Sequence, residues 1–520
     1  MILSLFSGIR ASILDYRGML SIFSGILIAL SFPLTDFAFL IWVALVPLLV
    51  AAEKSDARTA FRVGFITGIT AYAGILYWLN IVFTHYGHLP WVVSVSLYLL
   101  LVLWLASFYG LSLVTASIGE KLGIKSAFTL PVAWVAFDLI RSHLLTGFPW
   151  AMLGHSQYRI LPLIQIADIF GVYGITAVIV LANIVLYRVF RALSGAGVPY
   201  PVKSAAILAI FMVFILGYGF KRLNTHDNDS SPQLKVALIQ GNIPQNVKWS
   251  PAFKDHTISV YERLTTEAAK GGADLVVWPE SAMPFFYQDD QKMGERLRTL
   301  ARNLETTILF GAPAHTFRNG RNTLLNSAFA IDRDGRTLAR SDKIHLVPYG
   351  EYVPLGKYFT FINKLVSGIG DFSPGESALT MNIGKTVTGT LVCYEIIFPE
   401  IAAKYVQNGA RVLINITNDA WFGRSSAPYQ HLAIAAFRAV ETRTPLIRAA
   451  NTGVTAIIDR NGHIRTMTDI FVEDYRTGLV TPGTGDSVYL KTGDIAPWLC
   501  VLLTMLLFAR QTYLRKRKGI

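Results

Sequence analysis

Cysteine is almost missing from this 520-residue chain, which has only Cys393 and Cys500. Cys500 lies in an apolar run near the C-terminus and is expected to pack there as a small hydrophobe. That leaves Cys393 without a disulfide partner in its own domain, and an unpaired thiol calls for a functional explanation. Charge is also scarce, at 16% of residues, while 52% are hydrophobic. Those proportions exclude an ordinary soluble globule, so most of the apolar excess must face lipid. The sequence has no P-loop, no dinucleotide glycine fingerprint, no internal repeat and no cluster with zinc-ligand spacing.

The apolar residues crowd the stretch before Phe220 and return near the C-terminus. A bilayer core takes roughly 20 apolar residues per helix. Candidate spans are Gly18–Phe32, Phe37–Ala52, Val63–Phe83, Trp91–Ile118, Ala127–Leu139, Ile164–Tyr187, Ala205–Phe220 and Ile495–Ala509. This reading gives about eight membrane helices. The first run has no small-residue cleavage site and further spans follow it at once, so it is read as retained.

Basic residues mark alternate loops. Arg10 and Arg17 precede the first span, and Lys54, Arg58 and Arg62 separate the second from the third. Lys121 and Lys125 follow the fourth, Arg188, Arg191 and Lys203 separate the sixth from the seventh, and Arg515, Lys516, Arg517 and Lys518 follow the last. The segment from His85 to Pro90 has neither Lys nor Arg. Both termini are therefore expected in the cytoplasm and the intervening soluble domain outside, with Lys221 and Arg222 as the one pair against this pattern. Because much of the basic excess sits in inner loops, the net charge of +13 points to anionic lipid headgroups rather than nucleic acid.

The expected organisation is a helix bundle over residues 1–222, a polar linker over 223–233, an α/β domain over 234–484 and a final span with a basic tail over 485–520. In the α/β domain, β-branched runs such as LKVALIQ, DLVVWPE, TVTGTLVC and RVLINIT alternate with helical patterns such as Ile258–Ala269 and His431–Thr442. Active residues of such a fold sit where strands end.

Three reactive residues occupy such places. Glu280 follows a strand-like run in LVVWPES, Lys343 and then Glu351 occur in DKIHLVPYGEYVP, and Cys393 ends a run in GTLVCYE. The chemistry needs these types together. A free thiol of pKa about 8.5 needs a base to attack an acyl carbonyl at neutral pH, and Glu280 would supply it. The oxyanion formed needs fixed donors, which Lys343 and the Tyr394 N–H would provide. The proton on Glu280 would then go to the leaving group.

These motifs, in this order, resemble the Glu-Lys-Cys set of the nitrilase superfamily, and their wording resembles the apolipoprotein N-acyltransferase family. GNIPQNVKW at 241–249, TNDAWFG at 417–423, RAANTGVTAIID at 448–459 and TGFPW at 146–150 extend the likeness. The resemblance implies a nitrilase-like α-β-β-α sandwich outside a polytopic helical membrane bundle. Its implied catalytic residues are Glu280, Lys343 and Cys393, supported by Glu351, Tyr394 and Glu395, with Trp249 and Trp421 binding substrate. It implies acyl transfer from a phospholipid, typically phosphatidylethanolamine, to the α-amine of a diacylglyceryl-cysteine at an apolipoprotein N-terminus. The transfer would run through a thioester on Cys393, with no metal or cofactor, in a monomer of the bacterial inner membrane whose catalytic domain is periplasmic. An amidase with a membrane anchor would explain the triad but leave most spans idle. A transporter would need intramembrane charges, and Asp138 and Asp168 are few and lie near span ends.

Overall fold

The computed structural model describes residues 15–195, 198–225, 232–318, 320–348, 350–352 and 372–517. Arg10, Lys518 and residues 226–231 of the expected linker lie outside these residues. The chain forms two compact units. One gathers Trp91–Asn224 with the described parts of Met1–Asn80 and Asp494–Ile520, and the other gathers Ile81–Pro90 with the described parts of Thr225–Gly493.

In the first unit, five helices among the described residues are long and apolar enough to cross a bilayer: Trp91–Lys121, Ser126–Thr146, Ala167–Leu193, Val202–Asn224 and Ile495–Arg517. Helix Ala57–Ile75 makes up to six if it is counted as one broken span with Leu79–Tyr86, most of which belongs to the second unit. The two N-terminal apolar runs form shorter helices, Tyr16–Leu30 and Ala38–Ala51. Fifteen helical residues rise only about 22 Å, less than a bilayer core of roughly 30 Å. The first helix stops where the chain turns through Pro33 and Asp36, the latter with φ of 59°.

Small residues let two of these helices approach closely. A Cβ on Gly64 would lie 2.8 Å from the Tyr109 carbonyl oxygen, and one on Gly68 would lie 2.7 Å from Ala106 Cα. Helices Ala57–Ile75 and Trp91–Lys121 thus approach through backbone, as small residues permit in membranes. The few buried charges are matched. Arg141 meets Asp138 at 2.8 Å and donates to the Phe148 and Trp150 carbonyls at 2.9 Å each, fixing the TGFPW segment. Asp168 accepts from Tyr218 at 2.7 Å and pairs with Arg222 at 3.1 Å.

Among the described residues the second unit has twelve strands: β1 Leu234–Gln240, β2 Leu275–Val277, β3 Thr307–Arg318, β4 Arg321–Ile331, β5 Thr337–Asp342, β6 Thr380–Ile383, β7 Thr386–Val392, β8 Val412–Thr417, β9 Leu446–Ala450, β10 Ala456–Ile458, β11 Ile464–Met467 and β12 Asp474–Val480. They form two six-stranded sheets, ordered β12-β1-β2-β3-β4-β5 and β11-β10-β9-β8-β7-β6. Alternation along each central strand builds two cores. Val236, Leu238, Val277 and Leu309 of the first sheet pack with Val392, Ile414, Ile416 and Ile447 of the second. Their neighbours Ala237, Ile239, Val276 and Ile308 face the other way, onto Ile258, Tyr261, Leu264 and Leu297 of helices Lys254–Ala269 and Gln291–Asn303. With both faces covered, central strands read as continuous apolar runs. Helices Pro399–Gln407 and Ala427–Thr442 cover the second sheet, which completes an α-β-β-α sandwich.

Strands β1, β2 and β3 run parallel, as do β7, β8 and β9. The carboxyl ends of β2, β7 and β8 lead directly into the LVVWPES, VCYE and TNDAWFG motifs.

Candidate active site

Glu280 follows β2, Lys343 follows β5 and Cys393 follows β7, and the fold brings the first two into contact. Lys343 Nζ lies 2.9 Å from Glu351 Oε2 and 3.6 Å from Glu280 Oε1. Lys343 is 1% exposed. Burial alone would depress its pKa, but Glu351 and Glu280 outweigh burial and hold the ammonium well above the usual lysine range. It is therefore a fixed positive charge rather than a proton donor.

The Glu280 carboxylate is aimed by bonds to both oxygens. Oε1 accepts from Asn326 Nδ2 at 2.8 Å and Oε2 accepts from the Asn418 N–H at 3.0 Å. Asn326 also donates to Glu351 Oε1 at 2.8 Å, so one amide sets the spacing of the two carboxylates. Glu351 is folded back in its own turn, accepting from the Val347 N–H at 2.8 Å.

Cys393 sits at φ of 55° between β7 and a short 3-10 turn. A non-glycine residue there is strained, and such positions persist where the surroundings over-determine them. Glu395 is one cause. Its buried carboxylate accepts from the Val392 N–H at 2.6 Å, the Ile344 N–H at 2.6 Å and the His345 N–H at 3.0 Å. The peptide after Lys343 is thereby clamped to the turn that carries Cys393. Asn415 is a second cause, donating to the Leu391 and Cys393 carbonyls at 3.0 and 3.3 Å.

Cys393 itself is half-buried. Burial, followed by the Glu280 charge, pushes its thiol well above the ordinary range, with Lys343 opposing. A thiol held protonated in this way needs a base at the moment it reacts. Tyr394 is half-buried and packs edge-on against Phe398 with ring centroids 5.3 Å apart.

A second, fully buried group lies beyond the end of β8. Asp419 Oδ2 meets Arg448 Nη2 at 2.6 Å, and His431 Nδ1 is 3.2 Å from Asp419 Oδ1 and 2.9 Å from the same Arg448 nitrogen. Burial disfavours the Asp419 charge, yet Arg448 and His431 overcome it and hold the carboxyl well below the usual range.

Of the two tryptophans expected at the site, Trp249 is half-buried in the turn after β1. Trp421 is also half-buried and lies edge-on to Tyr86, with ring centroids 5.4 Å apart. The sequence reading passed over Lys248, Asn326, Asn418, Asp419, His431 and Arg448. Lys248, Asn418, Asp419 and Arg448 fall inside the motifs quoted above, which was the available signal; Asn326 and His431 had none. Among the described residues there is no group of His, Cys, Asp or Glu arranged to hold a metal.

The family description "Apolipoprotein N-acyltransferase N-terminal domain" matches residues 24–185, and "Carbon-nitrogen hydrolase" matches residues 235–487. The apolipoprotein N-acyltransferase of Geobacter metallireducens is 52% identical over 94% of this chain and 93% of its own length. That of Haemophilus influenzae is 31% identical, covering 96% of each. Among solved structures, Saccharomyces cerevisiae Nit3, a member of branch 10 of the nitrilase superfamily, is 19% identical over 51% of this chain and 95% of that one, with a TM-score of 0.38. By its identity to relatives over nearly their whole length, the chain belongs to the apolipoprotein N-acyltransferase family.

Proposed function

We propose that this protein transfers an acyl chain from a phospholipid, typically phosphatidylethanolamine, to the α-amine of an apolipoprotein's diacylglyceryl-cysteine, through a thioester on Cys393. The observation that carries the reading is the pairing of an aimed carboxylate, Glu280, with a buried ammonium, Lys343, beside the strained turn of Cys393. The protein is an acyltransferase of the inner membrane, acting on lipid and lipoprotein substrates.

In the first half-reaction, Glu280 takes the thiol proton as Cys393 sulfur attacks the ester carbonyl. Lys343 and the Tyr394 N–H stabilise the oxyanion. The carbon–oxygen bond then breaks, the Glu280 proton passes to the departing lysophospholipid alkoxide, and the thioester remains. In the second half-reaction the α-amine attacks the thioester, Glu280 takes the amine proton, the carbon–sulfur bond breaks, and the proton returns to sulfur. An α-amine, with pKa near 8, is partly neutral at pH 7, unlike a lysine side chain at about 10.4. Glu351, Glu395 and Tyr394 serve by holding these groups in place, while Trp249 and Trp421 are assigned to substrate binding. The catalytic domain is assigned to the periplasm and both termini to the cytoplasm, on the basic-loop pattern. The active unit is a monomer that needs no metal or cofactor.

The test is intact mass after exposure to phosphatidylethanolamine alone. One acyl mass should appear, be removed by hydroxylamine, and be absent from Cys393→Ala. A diacylated N-terminal Cys peptide should then discharge it to a hydroxylamine-resistant amide. Normal turnover in Cys393→Ala, or efficient transfer with no adduct even transiently, overturns the mechanism.

A further inference from the structure

Lys248 is buried to 1% exposure in the turn after β1, between the exposed Asn246 and the half-buried Trp249. Lysine ordinarily keeps its ammonium in water, even where its stem is covered. Here Nζ donates to the backbone carbonyl of Glu280 at 3.0 Å. Among the described residues that carbonyl is its hydrogen-bond partner, and no carboxylate oxygen lies within ion-pair distance. A buried cation without a counter-ion is costly, so its placement needs a compensating role.

The surroundings supply one. The titratable groups that act on it are Glu280, from the turn after β2, and Cys393, from the turn after β7; Lys343, after β5, reaches the same Glu280 carboxylate. We propose that Lys248 is a positioning residue for acyl transfer, fixing the backbone that carries Glu280 and offsetting the negative charge that passes between Glu280 and Cys393. This rests on reading Glu280 as base and Cys393 as nucleophile. Two lysines then divide the work: Lys343 is locked to Glu351, whereas Lys248 has its charge uncommitted to any one carboxylate. Burial lowers the Lys248 pKa to about 8 against the opposing pull of Glu280 and Cys393, so the charge is present at neutral pH and fades in mild alkali.

The experiment follows iodoacetamide alkylation of Cys393 from about pH 6 to pH 9, in the full chain with Cys500→Ser so that one thiol remains. Lys248→Met should slow alkylation at neutral pH by about tenfold or more, the equivalent of a shift of one pKa unit in the thiol. Lys248→Arg should keep the neutral rate within a few-fold and lose the inflection near pH 8, since its charge does not titrate there. Thermal unfolding of each variant reports on folding. If Lys248→Met folds and keeps the parent pH profile, the inference fails. If Lys248→Met does not fold, a Lys248→Arg profile that keeps the parent's inflection overturns it equally. Glu280→Gln separates this outcome from the larger reading. If it forms the acyl adduct from phospholipid like the parent, the base assignment is what has failed; if that step is lost while Lys248→Met alkylates like the parent, only the role of Lys248 falls.

Discussion

Lys343 is bonded to Glu351 at 2.9 Å and stands off from Glu280 at 3.6 Å. The closer pairing holds the ammonium on Glu351 and off the Glu280 oxygens that must accept the thiol proton. Glu351→Gln should let Lys343 move onto Glu280, and thioester formation should slow by about 10² or more, comparable to loss of a base or an oxyanion donor. Glu351→Asp, which keeps the charge, should retain more activity. The measurement is single-turnover acyl-adduct formation with phospholipid alone. Equal rates in Glu351→Gln and the parent would sink the idea that this pairing protects the base.

Two histidines make the fold sensitive to acid. Burial and then the Lys343 charge lower the His345 pKa to about 4, and burial followed by Arg448 lowers that of His431. Both folded-state values lie below the unfolded value of about 6.5, so the unfolded chain binds more protons in the window between. Their contribution to stability is present above about pH 6.5 and is lost as pH falls toward the folded pKa values. Glu395, whose carboxyl burial raises to about 7, opposes them in the same window, so the histidine contribution is read by comparison: between about pH 7 and pH 5 the parent should lose more unfolding temperature than His431→Gln does. Equal slopes in the parent and His431→Gln contradict this.

The motif-bearing strand ends were legible because each couples an apolar run to reactive residues. LVVWPES and GTLVCYE place Glu280 and Cys393 beyond β2 and β7 for that reason. Asn326 was not legible. It lies within the apolar-rich strand β4, and its role depends on β4 lying beside β3 and β5, which local pattern does not specify. Lys248 was overlooked for a different reason: an ammonium turned inward looks the same in sequence as one turned out. In the membrane unit, hydropathy marked where apolar helices lie and that the first two are short, Gly18–Phe32 and Phe37–Ala52 in sequence against Tyr16–Leu30 and Ala38–Ala51 in the fold. It did not register the break after Ile75 inside the run Val63–Phe83, because an average over residues does not sense a backbone turn.

The Asp168–Arg222 pair bears on orientation. Lys221 and Arg222 run against the basic-loop pattern, but Arg222 is matched by Asp168 at 3.1 Å, so part of that opposing charge is neutralised. The proposed topology then rests on the remaining loops. Impermeant labels applied from the outer side should reach cysteines introduced in residues 223–233 and miss those introduced at Arg515–Arg517. The opposite protection pattern would reverse the assignment.

Asp419 and Arg448 are both sealed from solvent and meet at 2.6 Å. Their position suggests a brace for both reactive turns. Arg448 also donates to the Asn415 side chain, whose amide holds the Cys393 carbonyl. The peptide N–H of Asn418, next to Asp419, holds Glu280. Asp419→Asn leaves a buried guanidinium without its counter-charge, and breaking such a pair costs about 3–5 kcal/mol. The expected result is a large drop in unfolding temperature. Gly453→Ala probes the same brace without removing charge, because a Cβ there would fall 2.1 Å from Asp419 Oδ2 and force the carboxylate to move. Replacing the pair with apolar residues, as in Asp419→Leu with Arg448→Met, should recover part of the stability lost by either single change, a coupling that a double-mutant cycle measures. It should not recover acyl transfer, since Asn415, whose amide holds the Cys393 carbonyl, loses its bond from Arg448. A double variant with both native stability and native turnover would show that the brace serves folding alone, and a stable, fully active Asp419→Asn would show that it serves neither.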